Sequence, residues 1–373
     1  MTTNRPSRRG TGSSLAAAFG ATLDRVLTDE GALDAEGVEE LDSAGWFEFY
    51  SLAWVDRSSA DTVEALDALQ EGGHRLLPPA ALVHLAFTRP LLDLLAARAG
   101  AAPGHAAALA AGPSLCVPVP TLAPDLRWIV TGPAAVSDGA PGWRVTGRTV
   151  QAAPQTVAAF LVSLPLADGT ALALLPTDRD GLAVERAASL VPGAEVLSVR
   201  FDDVQITEGD LIARECDSEI NDAGQALSLA LDAHCVGICE EVLARTLAHI
   251  KSREQFGVPL RSFQSVRHLA ADMKVSLELA RSLLEQASTT RIGDAPDREK
   301  LVASRLTAAR AARTVCEFAI QLHGGIGFTW ESGLHLWYRH ALLLSEFVTD
   351  VVAVEAVVAR HLLEPAASTA GTS

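Results

Sequence analysis

The spacing of apolar residues along the chain changes twice. From about Leu15 to Leu122 apolar positions recur every three or four residues, in LAAAFGATLDRVL, VEELDSAGWFEF, ADTVEALDALQEGG and PAALVHLAFTRPLLDLLAARA. That spacing puts them on one face of a helix, and the glycines and prolines between segments mark the breaks. From about Arg127 to Ile212 the period falls to two: WIVTG, GWRVTGRTVQ, TVAAFLVSLPL, TALALLPTD and VLSVRFDDVQI read as strands. Asp168-Gly169, set between two apolar runs, predicts a hairpin turn. From about Ser218 the helical period returns in longer runs. SEINDAGQALSLALDAHCVGICEEVLARTLAHIKSREQFG predicts one helix of roughly thirty residues, capped near Asn221 or Asp222. SFQSVRHLAADMKVSLELARSLLEQAS predicts a second, and REKLVASRLTAARAARTVCEFAIQLHGG a third, stopped by Gly324-Gly325. Two shorter helices follow, up to Glu364.

The pattern therefore predicts an α+β chain of several domains. A helical domain spans 15–122, an antiparallel β domain 123–215 and a four-helix-type bundle 216–364, with a disordered arm at 1–14 and a tail at 365–373.

Composition narrows the class. The 373 residues are 49% hydrophobic and 20% charged, enough for a substantial core under a solvated surface. A net charge of −16 argues against nucleic acid, since phosphates would be repelled and no basic stripe is present. Arginine outnumbers lysine 27 to 3, read here as compositional bias rather than a set of anion sites. Five cysteines, Cys116, Cys216, Cys235, Cys239 and Cys316, make no paired or CxxC framework, which fits a reducing cytoplasm. Cys235 and Cys239 lie one helical turn apart beside His234, but that set lacks the remaining ligands of a metal site, and we assign none. Pro, Gly, His or Asp interrupts every apolar run before bilayer-spanning length, so no membrane segment is expected.

Two loops carry the chemistry. Arg253-Glu254-Gln255-Phe256-Gly257 precedes Pro259-Leu260 and Phe263-Gln264. Alone it is an ordinary helix stop, with an arginine at the negative end of the dipole. Gln321-Leu322-His323-Gly324-Gly325-Ile326-Gly327-Phe328 is glycine-rich, which lets backbone N–H groups approach a diphosphate or a planar ring. Together, with Ala271-Asp272-Met273 between them and Arg339 with Ala341 after them, the motifs resemble the acyl-CoA dehydrogenase family. So does the order of helical domain, β-barrel domain and helical bundle. The motif resemblance covers about residues 226 to 364; architecture alone carries it further toward the N-terminus.

What the resemblance implies is FAD-dependent α,β-desaturation of an acyl-CoA thioester, with electrons passed on to an electron-transfer flavoprotein. In the family, FAD lies at a subunit interface, and these motifs reach the adenosine diphosphate half of a neighbour's cofactor. Carried over, the FAD-binding residues are Arg253, Gln255, Phe256, Gln321, Gly324 and Gly325.

The elements a subunit offers its own flavin differ from the family pattern. The expected Glu-Pro-x-x-Gly-Ser-Asp loop is reduced to Ser137-Asp138, and Gln151 and Ala153 stand where a flavin-flanking tryptophan and threonine belong. The catalytic base has two usual homes. Counted without a gap from Arg339, one falls on Phe347-Val348-Thr349-Asp350, and valine takes no proton. Glu346, two residues earlier, is turned roughly 200° around a helix and reaches the base position only with a two-residue shift. The other home falls on Leu227-Ser228. Asp232, one turn further on the same face, is a second candidate, or else a solvated helix acid.

Retention of what serves a neighbour and replacement of what serves the chain itself imply a non-catalytic subunit, paired with a catalytic acyl-CoA dehydrogenase chain in an α2β2 assembly. Two readings stay open beside it. One is a self-sufficient homomeric enzyme using Glu346 or Asp232; the other is a flavin-free scaffold on the same fold.

Overall fold

A computed structural model describes residues 14–27, 59–99, 195–289, 295–347 and 351–363 without a break, most of 115–191, and isolated positions near 40 and 108. The expected arm and tail and most of VEELDSAGWFEF lie outside the described residues.

The N-terminal helices are α1 (Ser14–Val26), α2 (Ser59–Arg75), α3 (Pro79–Val83) and α4 (Arg89–Ala99). PAALVHLAFTRPLLDLLAARA is not one uniform helix. Pro90 cannot donate a backbone hydrogen bond, and between α3 and α4 the chain widens into a single π turn over His84–Thr88. By length and composition alone Pro79–Arg98 reaches the size of a membrane span, but 67% of an 18-residue stretch of it is buried within the protein, as in a core helix.

Strands begin earlier than the spacing predicts, with β1 (Leu115–Cys116) and β2 (Pro120–Leu122). They continue through β3 (Trp128–Val130), β4 (Ala135–Asp138), β5 (Trp143–Ala153), β6 (Ala159–Leu166), β7 (Gly169–Pro176), β8 (Leu182–Ala187), β9 (Glu195–Ile206) and β10 (Leu211–Ala213). The predicted hairpin is present: β6 and β7 pair antiparallel with Leu166 opposite Gly169, which takes φ +128°. Among the described residues these strands form not one closed barrel but two four-stranded sheets, ordered β1-β6-β7-β10 and β4-β5-β9-β8, and a separate antiparallel pair of β2 and β3; β1 joins β6 in parallel. Alternation explains the layering. Phe160, Val162 and Leu164 of β6 face Leu197, Val199 and Phe201 of β9 in one core, while Ala159 and Leu161 turn to the core shared with the helices.

The bundle comprises α5 (Asp217–Ser252), α6 (Gln264–Ser288), α7 (Ala295–His323) and α8 (Leu334–Phe347), with α9 (Val351–Leu363) beside α7. Helix α5 has 36 residues and starts ahead of the predicted cap. Asn221 lies inside it, and its side-chain oxygen accepts the Trp128 backbone N–H at 3.1 Å, joining the bundle to the β layer. Helix α2 crosses α5 closely because each has a glycine at the contact. A Cβ on Gly73 would stand 2.1 Å from the His234 carbonyl oxygen, and one on Gly237 2.1 Å from that of Gln70.

Candidate cofactor-completing site

Contacts fix the helix directions. Asp232 meets Ser304 and Arg305, and His249 meets His323, so α5 and α7 run parallel with an offset of 72–74 residues. Their C-terminal ends therefore lie at the same end of the bundle, and these ends carry the two sequence motifs.

At the end of α5, Arg253 is the first non-helical residue, with φ −77° and ψ 128°. Its carbonyl accepts the Leu260 N–H at 2.8 Å, closing a two-stranded hairpin of β11 (Glu254–Gln255) and β12 (Val258–Pro259). Phe256 and Gly257 form the turn, both in the left-handed region at φ +53° and +80°. That combination matches the tight turn suited to a right-twisted hairpin, although a bulky first residue costs energy there. The Phe256 ring is 92% exposed and touches Phe263 only edge-on, at 6.3 Å between centroids. The Arg253 and Gln255 side chains are exposed, and Arg253 makes no ion pair among the described residues.

At the end of α7, the His323 Nδ1–H donates to the Ala319 carbonyl at 2.8 Å. Gly324 then takes φ +63° and starts a 3-10 turn through Phe328. Among the described residues a Cβ on Gly324 or Gly325 would meet nothing within 4 Å, so packing there does not demand these glycines. Gln321, Gly324 and Gly325 are exposed, as are Phe328 and Trp330. The two ends touch through His249 and His323, whose rings stack at 4.1 Å with 21° between planes. The structure thus brings Arg253, Gln255, Phe256, Gln321, Gly324 and Gly325 to one exposed end. The sequence reading missed the histidine pair, because its members are 74 positions apart and, although His323 lies within the glycine motif, His249 belongs to no local pattern.

An adenosine diphosphate group fits this set. It offers an uncommitted guanidinium, an amide side chain, an exposed aromatic face and a backbone stretch with no side chain in the way.

The proposed bases are elsewhere. Asp232 lies about 31 Å back along α5 from Arg253, by helix rise. It is neither solvated nor free: it is fully buried, and its Oδ2 accepts from Ser304 Oγ at 2.6 Å while Oδ1 accepts from Arg305 Nη1 at 3.0 Å. Burial pushes its carboxyl up to about 6, against the opposing pull of Arg305 and Ser304. Arg305 Nη2 also donates to the Leu344 carbonyl at 3.1 Å, which ties in the C-terminal half of α8. Beside this lock, His234 Nε2 and His340 Nε2 stand 3.1 Å apart, and burial holds both imidazoles low, His340 at about 4.

Leu227 and Ser228 are buried on α5, and Ser228 Oγ has no partner among the described residues. Glu346 is in the last turn of α8, but its side chain lies outside the described residues, as do Val348, Thr349 and Asp350. Gln151 and Ala153 are on β5, paired with Leu197 and Glu195; Ser137 and Asp138 are on β4, paired with Arg144 and Trp143.

Residues 228–347 match the family model described as acyl-CoA dehydrogenase, C-terminal domain. Among curated relatives, the chain is 29% identical over 200 residues to the probable acyl-CoA dehydrogenase YngJ of Bacillus subtilis, covering 51% of each protein. It is 38% identical over 114 residues to the acyl-CoA dehydrogenase IpdE2 of Mycobacterium tuberculosis, covering 31% of this chain and 34% of that one. The matched stretches thus span about half the length of these relatives or less. Among solved structures, a chain of the ChsE4-ChsE5 complex from Mycobacterium tuberculosis superposes with a TM-score of 0.73 at 20% identity. That superposition covers 96% of this chain and 99% of the other, a likeness of fold.

Proposed function

Since the chain belongs to the acyl-CoA dehydrogenase family, we propose that it is the non-catalytic subunit of a heteromeric acyl-CoA dehydrogenase and completes the FAD site of a catalytic partner. The observation that carries this reading is the contrast within one bundle. Arg253, Gln255, Phe256, Gln321, Gly324 and Gly325 converge on an exposed end and are not consumed by contacts of their own. The acid nearest the early base position, Asp232, is held by Arg305 and Ser304. The ChsE4-ChsE5 structure is itself a complex of two differently named chains, which supports a two-chain assembly for this fold.

When bound, FAD supplies the hydride acceptor for α,β-desaturation of an acyl-CoA thioester. In this reading the partner chain provides the base and the acyl-CoA pocket, and reduced cofactor passes its electrons to an electron-transfer flavoprotein. The residues of this chain bind and orient. Arg253 offers charge to the diphosphate, Phe256 an aromatic face to the adenosine half, and the bare Gly324-Gly325 backbone close approach.

Expressing the chain alone and together with a co-encoded acyl-CoA dehydrogenase homologue, then recording flavin absorbance and acyl-CoA turnover of each preparation, tests this. We expect FAD and turnover only in the mixture. Tight FAD and turnover from the lone chain would instead establish a self-sufficient enzyme, with Glu346 then the base to test. A complex that never takes up FAD would leave a flavin-free scaffold.

A further inference from the structure

We propose that His249 and His323 form a proton-accepting pair that receives the diphosphate of the neighbour's FAD, so that cofactor retention is coupled to proton uptake. The inference rests on the trans FAD site described above and adds to it two residues that neither motif assigns.

The geometry is specific. The rings are stacked at 4.1 Å, are only partly buried, and lie where the two motif-bearing helices end together. His249 is one turn before Arg253, and His323 immediately precedes Gly324. Donation from Nδ1–H of His323 to the Ala319 carbonyl fixes that tautomer and leaves Nε2 as the nitrogen that takes the next proton.

Among the described residues the pair has no counter-ion. The groups acting on His249 are His323 from α7 and Arg253 from its own helix end, after burial itself. Those acting on His323 are burial and, in the opposite direction, the Ala319 carbonyl. Lys251 is an exposed cation on the same last turn of α5, and Glu254 is exposed on the hairpin beyond Arg253. Glu317, the acid on the last turns of α7, is engaged by Arg313 and Tyr338. Both imidazoles sit below the usual histidine value, and so are neutral at neutral pH with nothing bound. A diphosphate seated between Arg253 and the glycine turn supplies the missing negative charge and raises both values. By linkage, affinity is then highest at low pH and falls as pH rises through the bound-state values. The diphosphate diester itself has no ionisation near neutral pH, so the dependence must come from protein groups.

The test uses the holo complex of this chain with its catalytic partner. FAD release is followed by flavin fluorescence at constant ionic strength, from about pH 6 to about pH 8.5, the range in which histidine titrates. We expect the FAD Kd to rise by up to about tenfold per pH unit for each proton taken up. His249→Phe keeps a stacking ring but cannot be protonated and should flatten the slope, as should His323→Gln; His249→Gln serves if the phenylalanine variant folds poorly. Arg253→Ala should weaken FAD at every pH and leave the slope in place. A wild-type complex with no pH dependence, or histidine variants that keep its full slope, overturns the inference while the trans site stands. FAD retention indifferent to Arg253→Ala sinks the trans site, and this inference with it.

Discussion

Helix α5 carries two polar clusters that the fold treats in opposite ways. In its middle, each named group closes on another within the chain. Asp232 holds Ser304 and Arg305, Arg305 holds the Leu344 carbonyl, and His234 faces His340, all out of water. At its C-terminal end, Arg253, Gln255 and Phe256 stand exposed, Phe256 in a costly backbone conformation, and the neighbouring glycines of α7 face open space. Buried polar groups that hold a fold together must find partners inside it, because an unpaired one costs several kcal/mol. Groups left exposed in a fixed arrangement have no such role in the fold. The middle of α5 is therefore the bundle's polar lock, and in the proposed assembly its end serves another chain.

The sharpest way to break this comparison is to unlock the middle. Arg305→Ala leaves Asp232 buried without its cation and should lower stability by about 3–5 kcal/mol. The double change Asp232→Leu with Arg305→Met should recover most of that loss, since apolar residues of similar size avoid desolvating two charges. Urea denaturation of the three proteins reads both effects; a single variant as stable as wild type would show that the pair holds nothing. The exposed end should respond in the reverse sense. Arg253→Ala removes a charge-assisted contact worth about 1.5–3 kcal/mol, so FAD retention by the complex should fall by roughly ten- to a hundredfold. Stability of the isolated chain should stay within about 0.5 kcal/mol of wild type, as for an ordinary surface substitution.

Most of the architecture is legible in the sequence because periodicity reports faces. Period two over AFLVSLPL and VLSVRFDDVQI marks the strands that sandwich one core, and the long helical runs mark the bundle. The first two thirds of α5 are buried nearly all round, so no clean stripe announces where the helix begins. Its start at Asp217 has no side-chain cap, and Asn221, which looks like a cap, binds Trp128 of β3 instead. The exposed motifs are legible because they are local in the chain. Arg305 as the partner of Asp232 is not, nor is the His249–His323 stack, since both contacts cross more than seventy residues. Once one of these contacts is known, the parallel offset of α5 and α7 predicts the other.

Two smaller tests sharpen the contrast at the margins. His74 of α2 joins that helix to α5, with Nε2 at 2.8 Å from Glu240 and Nδ1 at 3.3 Å from Glu71 of its own helix. Burial raises the Glu71 carboxyl, but His74 and then Arg75 outweigh it and hold it at about 2, below its ordinary 4.5. Its contribution is therefore present above pH 4.5 and lost as the pH falls through about 2. The network is partly exposed and screened, so the loss should be on the order of 1 kcal/mol. Glu71→Gln should remove that part of an acid denaturation curve, and an unchanged curve would mean that the Glu71 pairing with His74 and Arg75 adds nothing to stability. The smallest effect concerns Phe256. Asparagine tolerates the left-handed turn position better than phenylalanine, so Phe256→Asn should stabilise the isolated chain by about 0.5–1 kcal/mol. The same change should loosen FAD in the complex, because the exposed ring is lost. A gain in stability without a loss of FAD would mean that the strained turn is kept for some purpose other than the cofactor; both effects together would show that the chain tolerates strain at its exposed end for the sake of its neighbour.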